Sequence, residues 1–182
     1  MKKYFTLVSS ILGATTYLYL IANTYVSTGE GLSFTTFFLW AFLAWISAVT
    51  TFKQKSNALV PTIYAFGSST ISILLFAKGK VVWTGFDTFI AVLVLLCMAL
   101  WMIKGSKWAL VMSVLASLIA NIPFIIMTWR APEMSPIVAN FGFFGANFLW
   151  FLAGEKWTLQ DKLYGASGTF GCSLLLIPWF LK

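Results

Sequence analysis

The chain contains no histidine, and its two cysteines, Cys97 and Cys172, each lie inside an apolar run. Without imidazole, the commonest haem ligand and the one side chain that ordinarily titrates near neutral pH are both missing. The cysteines have neither the spacing of a redox pair nor companions to hold a metal, so they are expected to be small buried side chains. Charge is also scarce, at 9% of residues, and only five residues are acidic. None of the five falls in the middle of an apolar run, so a relay of buried carboxylates for proton or sodium coupling has no carrier. A serine or tyrosine without a base is no active site, and the sequence points away from an enzyme and from any metal or cofactor.

What is abundant is hydrocarbon. Hydrophobic residues fill 60% of the 182 positions and the mean hydropathy is +0.89, a composition that no water-soluble domain of this size carries. The apolar runs, cut by lysine, glycine and proline, predict seven membrane spans at 4–26, 33–52, 57–77, 86–103, 107–129, 134–153 and 161–181. The opening Met-Lys-Lys and its apolar run resemble a signal peptide, but the run continues to Tyr25, longer than a signal core, and is read as a retained first span. The expected class is an all-α membrane protein of one membrane domain, with the lipid bilayer as its partner.

The formal charge of +7 is spread as lysines between apolar runs, which the positive-inside rule explains better than nucleic-acid binding. With the amino terminus in the cytoplasm, Lys2, Lys3, Lys53, Lys55, Lys104, Lys107, Lys156 and Lys162 collect inside, against Lys78, Lys80, Arg130 and Lys182 outside. That majority predicts the amino terminus inside and the carboxyl terminus outside, and the expected location is the plasma (inner) membrane. Trp83, Trp101, Trp108, Trp129, Trp157 and Trp179 fall near span ends, as an aromatic belt would. Nothing in the sequence excludes an oligomer.

The chain also repeats itself. Leu-Val-Ser-Ser-Ile-Leu from Leu7 recurs as Leu-Val-Met-Ser-Val-Leu from Leu110, an offset of 103. Gly-Leu-Ser ending at Ser33 matches Glu-Met-Ser ending at Ser135, and Tyr-Ala-Phe-Gly ending at Gly67 matches Gly-Ala-Ser-Gly ending at Gly168, offsets of 102 and 101. Spans one to three therefore map onto five to seven. The expected plan is two parallel three-helix repeats, 1–77 and 107–182, joined by a linker helix within 78–106.

Polar residues within the apolar runs mark a candidate site. Asn121 precedes Pro123 by two residues, and a proline inside a membrane helix frees a carbonyl that a neighbour or a cavity must satisfy. Carboxamides both donate and accept while remaining neutral, which suits them to replace the water shell of a small polar solute. Asn121, Asn147, Asn140, Tyr17 and Trp45 are the candidate solute-binding residues. At an offset of 102, Asn147 is the partner of Trp45, an amide facing an indole across a central pathway. Pro123 is the candidate hinge. Arg130 and Glu133, in the turn between spans five and six, are the candidate gate, with Glu30 as an alternative partner for Arg130.

Ala-Asn-Ile-Pro-Phe ending at Phe124, Thr128-Trp129-Arg130 and Met-Ser-Pro ending at Pro136 together resemble the second proline-glutamine motif of the PQ-loop superfamily. Gly-Glu-Gly-Leu-Ser-Phe from Gly29, followed by Phe-Phe-Leu-Trp ending at Trp40, resembles the segment after the first. That superfamily includes the SWEET sugar uniporters, and bacterial nicotinamide riboside-type vitamin transporters share the three-plus-one-plus-three plan. Phe124 stands where the glutamine would, and Leu20-Ile21 stand where the first proline-glutamine pair would. The resemblance implies a facilitator or exchanger that moves a small neutral polar solute, such as a sugar, by alternating access. A vitamin-precursor or amino-acid transporter of the same plan, or a non-transporting receptor or anchor subunit, are the alternative readings.

Overall fold

Seven α-helices account for nearly all of the computed structural model, which describes residues 2–27, 29–53, 58–104, 106–153 and 159–181. They are α1 (Lys2–Val26), α2 (Phe34–Lys53), α3 (Leu59–Ala77), α4 (Gly85–Lys104), α5 (Ser106–Arg130), α6 (Ile137–Ala153) and α7 (Leu159–Phe180). A short 3₁₀ helix, Pro132–Met134, joins α5 to α6, and no strand occurs among the described residues. Lys55, Lys156, Lys182 and Trp157, used in the charge and indole patterns, lie outside the described residues. Two stretches, Lys3–Val26 and Leu59–Ala77, are each long and apolar enough to cross a membrane.

Local chemistry sets the helix ends. After α3, Gly79 takes a positive φ of 66°, and the amides of Gly79 and Lys80 donate back to the carbonyls of Phe76 and Leu75. That paired closure through a left-handed glycine satisfies the last carbonyls of the helix. At the start of α4, Asp87 Oδ2 accepts the Thr84 amide at 2.8 Å, while the Asp87 amide donates to Thr84 Oγ1 at 3.2 Å, a reciprocal capping box. Asp87 thus serves the helix terminus, where a negative charge also meets the dipole favourably. Lys78 Nζ donates to the carbonyls of Tyr25 and Ser27, placing a cation on the carbonyl end of α1.

In the packing, the backbone of α3 comes close to both α1 and α2, and that of α7 to both α5 and α6, while among the described residues no Cα of α1 lies within 8 Å of α2, nor any of α5 within 8 Å of α6. Across the middle, α1 meets α6 and α2 meets α5. Exchanging α1, α2, α3 for α5, α6, α7 leaves this set of contacts unchanged. α4 stands apart, lying on α5 and touching α2.

Small residues carry the crossings, because backbones approach closely only where side chains are short. Ser9 Oγ of α1 donates to the Ala146 carbonyl of α6 at 2.8 Å. Two turns further along α1, a Cβ on Gly142 would collide with Thr16. Opposite, Leu39 and Leu43 of α2 with Ile90 and Val94 of α4 close over Ala116 and Ala120 of α5.

Pro178 lies inside α7 and has no N–H to give, which leaves the carbonyl of Leu174 without its helical donor. The indole Nε1 of Trp129, near the end of α5, donates to that carbonyl at 2.9 Å. A side chain of one helix thus replaces a missing backbone bond of another and fastens α5 to α7. We expect Trp129→Phe to destabilise the purified protein by about 1 kcal/mol. In a Pro178→Ala background, where the helix regains its own donor, the same change should cost measurably less. A double-mutant cycle on thermal unfolding checks this, and an equal cost in both backgrounds would break the link.

Candidate functional site

Midway along the bundle the helices part around a cavity of about 80 Å³, room for a few water molecules or a small solute. Ser68, on its wall, is the tenth of the 19 residues of α3, and Gly168 the tenth of the 22 of α7. Trp40, Leu43 and Ala44 of α2, with Tyr64 and Ser68 of α3, form one side. Ser117 and Asn121 of α5, Phe143 and Asn147 of α6, and Ser167, Gly168, Gly171 and Cys172 of α7 form the other. Among the described residues no charged side chain lines it.

The lining follows the internal offset. Trp40 and Phe143, Ala44 and Asn147, Tyr64 and Ser167, and Ser68 and Gly171 are four pairs of wall residues, each separated by 103 positions. The cavity therefore gathers residues of α2 and α3 with residues of α6 and α7 that lie 103 positions further along the chain. The match is not chemical: carboxamides come only from α5 and α6, while the indole and phenol come from α2 and α3.

Both amides are held by glycines of α7. Asn147 Nδ2 donates to the Phe143 carbonyl one turn back at 2.8 Å and lies 3.8 Å from Cys172 Sγ. A Cβ on Gly168 would collide with the Asn147 amide oxygen, and one on Gly171 would stand 2.8 Å from Asn121 Nδ2. Asn121 differs from Asn147 in one respect. It is 5% exposed, yet its Oδ1 accepts no hydrogen bond from the described residues. A buried acceptor left unmet costs about 1–3 kcal/mol, so groups of this kind mark places where something other than packing is served.

The remaining candidates fall elsewhere. Tyr17 is 2% exposed and stands behind the wall: its hydroxyl shares a 2.8 Å hydrogen bond with Ser68 Oγ. Its ring is edge-on to Tyr64 and Phe143, with centroids at 5.3 and 4.8 Å. Trp45 is not opposite Asn147. It is 39% exposed, packs on Phe66, and its Nε1 donates to Ser69 Oγ at 3.1 Å on the outer face. The pairing fails by one residue: at an offset of 103 the partner of Asn147 is Ala44, and one step along a helix turns a side chain by about 100°. Trp40, which does line the cavity, was reachable by carrying the offset of 103 from Leu7 and Leu110 to Phe143.

Asn140 does not reach the cavity either. It is buried, and its Nδ2 donates to Ser135 Oγ at 3.0 Å, which also accepts from Thr128 Oγ1 at 3.2 Å, a network knitting α5 to α6. Pro123 lies in α5 between Asn121 on the cavity and the fully buried Phe124. Arg130 and Glu133 are exposed, and Glu30, the alternative partner for Arg130, meets Lys80 at 3.6 Å instead.

Comparison with protein-family models, with curated proteins and with solved structures found no match.

The placements of Asn140 and Trp45 make opposite demands on stability. Asn140→Ala should cost about 1–3 kcal/mol, since it removes a buried donor from a hydroxyl. Trp45→Phe, which keeps the ring contact with Phe66 and loses one bond on an exposed face, should cost under about 1 kcal/mol. Thermal unfolding of the two variants gives the order directly, and the reverse order would misplace both residues.

Proposed function

We propose that the chain is a membrane carrier for a small neutral polar solute, working by alternating access between two parallel three-helix repeats. The observation that carries this reading is the mid-height cavity whose lining includes Asn121, a buried residue whose amide oxygen accepts no hydrogen bond from the described residues. A solute that brings an O–H or N–H donor to that oxygen regains what burial has cost it. The rings of Trp40, Tyr64 and Phe143 offer its carbon skeleton a flat apolar face. The absence of charge among the described wall residues suits a neutral guest, and facilitated diffusion or exchange needs no coupling ion.

Several features support the membrane setting. The seven helices run from 17 to 25 residues, or about 26–38 Å at 1.5 Å per residue, comparable with a hydrocarbon core of about 30 Å. In the two longest apolar stretches, only 33% and 39% of the window is buried inside the protein. A core helix of a water-soluble protein is mostly buried, whereas here Leu7, Ile11, Phe66, Ile73, Phe89, Val138 and Phe170 point outward. Lipid is the solvent that accepts such a surface. The charge bias favours an amino terminus in the cytoplasm, and the reading takes the membrane to be the plasma (inner) membrane.

The repeat plan is supported by the exchange symmetry of the helix contacts and by the four wall pairs 103 positions apart. With α4 as the odd connector, both triplets enter the membrane in the same sense, and rocking one against the other exposes the cavity to each side in turn. In this arrangement Pro123 is the hinge of α5, and the proline-glutamine-type segment around it belongs to a PQ-loop or SWEET-like carrier.

Uptake of radiolabelled sugars, amino acids and nucleosides into liposomes holding the purified protein tests the reading. For the solute that enters, Asn121→Ala should lower uptake about tenfold or more, the equivalent of losing a hydrogen bond to a buried amide. Asn147→Ala should lower it less, because that amide is partly spent on its own helix. Wild-type flux in both variants would remove the cavity from transport, and no flux for the whole panel would remove the carrier.

A further inference from the structure

Among the described residues, bulky buried side chains cover one end of the cavity more than the other. Taking as the Glu30 end the one where α1 runs into α2, the twelve largest fully buried side chains all lie in the halves of their helices toward that end. Between the cavity and that end, Phe37 of α2 and Phe124 of α5 face each other with ring centroids 6.0 Å apart. Leu20, Leu75 and Leu175 complete the same cluster. Toward the opposite end, where α2 finishes at Lys53, the described buried apolar side chains are smaller: Ala48, Val60, Val114 and Ala153.

The loops add a second closure at the Glu30 end. Gly31, between α1 and α2, has φ of 79°, and a Cβ placed on it would collide with the backbone carbonyl of Met134, between α5 and α6. Glycine is thus required there twice, by its conformation and by the space. The contact joins the first triplet to the second. Each triplet is bound up on its own side of it: Lys80 meets Glu30 at 3.6 Å in the first, and Trp129 holds the Leu174 carbonyl in the second. At the surface, the two triplets meet in a backbone-to-backbone contact over an apolar plug.

We propose that the Glu30 end is a gate, held shut in this structure by the Gly31–Met134 contact above the Phe37–Phe124 plug, so that the solute exchanges through the Lys53 end. The gate rests on the carrier reading given above. A side chain at position 31 forces the two loops apart, and with the loops separated the plug alone retains the closed arrangement. Because packed interfaces have discrete arrangements, loss of the contact shifts the population toward a state open at the Glu30 end.

Cys172 lines the cavity and serves as the reporter. The full chain carrying Cys97→Ser, reconstituted in vesicles of defined orientation, is treated from one side or the other with a small charged methanethiosulfonate. Modification of Cys172 is followed by mass. We expect Cys172 to react at least about tenfold faster from the side of the Lys53 end, and Gly31→Val to raise the rate from the Glu30 side by at least about tenfold. Phe124→Ala, which thins the plug and leaves the loops intact, should act in the same direction and carries the test if Gly31→Val does not fold. Equal rates from both sides in the parent chain would overturn the gate and leave the carrier reading standing. So would an unchanged slow rate from the Glu30 side in folded variants. No modification from either side would overturn the open path through the Lys53 end, and the gate with it.

Discussion

Helices in this bundle meet closely because glycine stands at the points where a polar side chain of one helix must lie against the backbone of another. The ring of Tyr17 occupies the space a Cβ would take on Gly67, and Thr16 does the same over Gly142. Along α7, Gly168 and Gly171 receive the two amides of the cavity. Each contact fixes a polar group by removing its alternatives rather than by adding a bond. The cavity is what remains where the seven helices, so constrained, fail to close.

Against that constraint, the interior settles many of its polar groups, each in its own way. The carbonyl released by Pro178 is met by an indole from another helix, the hydroxyl of Tyr17 by Ser68, and Thr128, Ser135 and Asn140 share one network. Satisfying such groups within the protein is obligatory wherever water is excluded. The amide oxygen of Asn121 stands apart in a narrower way: Thr24 Oγ1, Thr36 Oγ1 and Trp179 Nε1 likewise meet no hydrogen-bond partner among the described residues, and Asn121 differs from these three in lining the cavity.

Much of the fold can be read from the sequence because hydrocarbon runs and their interruptions are local facts. The seven predicted segments coincide with the seven helices to within a few residues. The largest discrepancy, the start of α6 at Ile137 rather than near 134, arises because Pro132 opens a short 3₁₀ turn first. Depth and azimuth were harder. Asn140 and Asn147 are seven residues apart and so share a face of α6, yet they differ in height by about 10 Å, and only Asn147 is level with the cavity. Trp45 was lost to a one-residue slip in the repeat, the smallest error that turns a side chain to a different face. The tie between Trp129 and Leu174, and the meeting of Gly31 with Met134, join points far apart in the chain and carry no local signature.

The concentration of bulky buried side chains at one extremity has a mechanical consequence. In the proposed carrier, with that extremity clamped, the two triplets would act as the arms of a pair of tweezers: a rotation of about 10° about the clamp would move the far tips of helices some 30 Å long by about 5 Å. The travel would grow with distance from the pivot, so the arms' free tips would sweep widest while the walls at mid-height shifted only half as far.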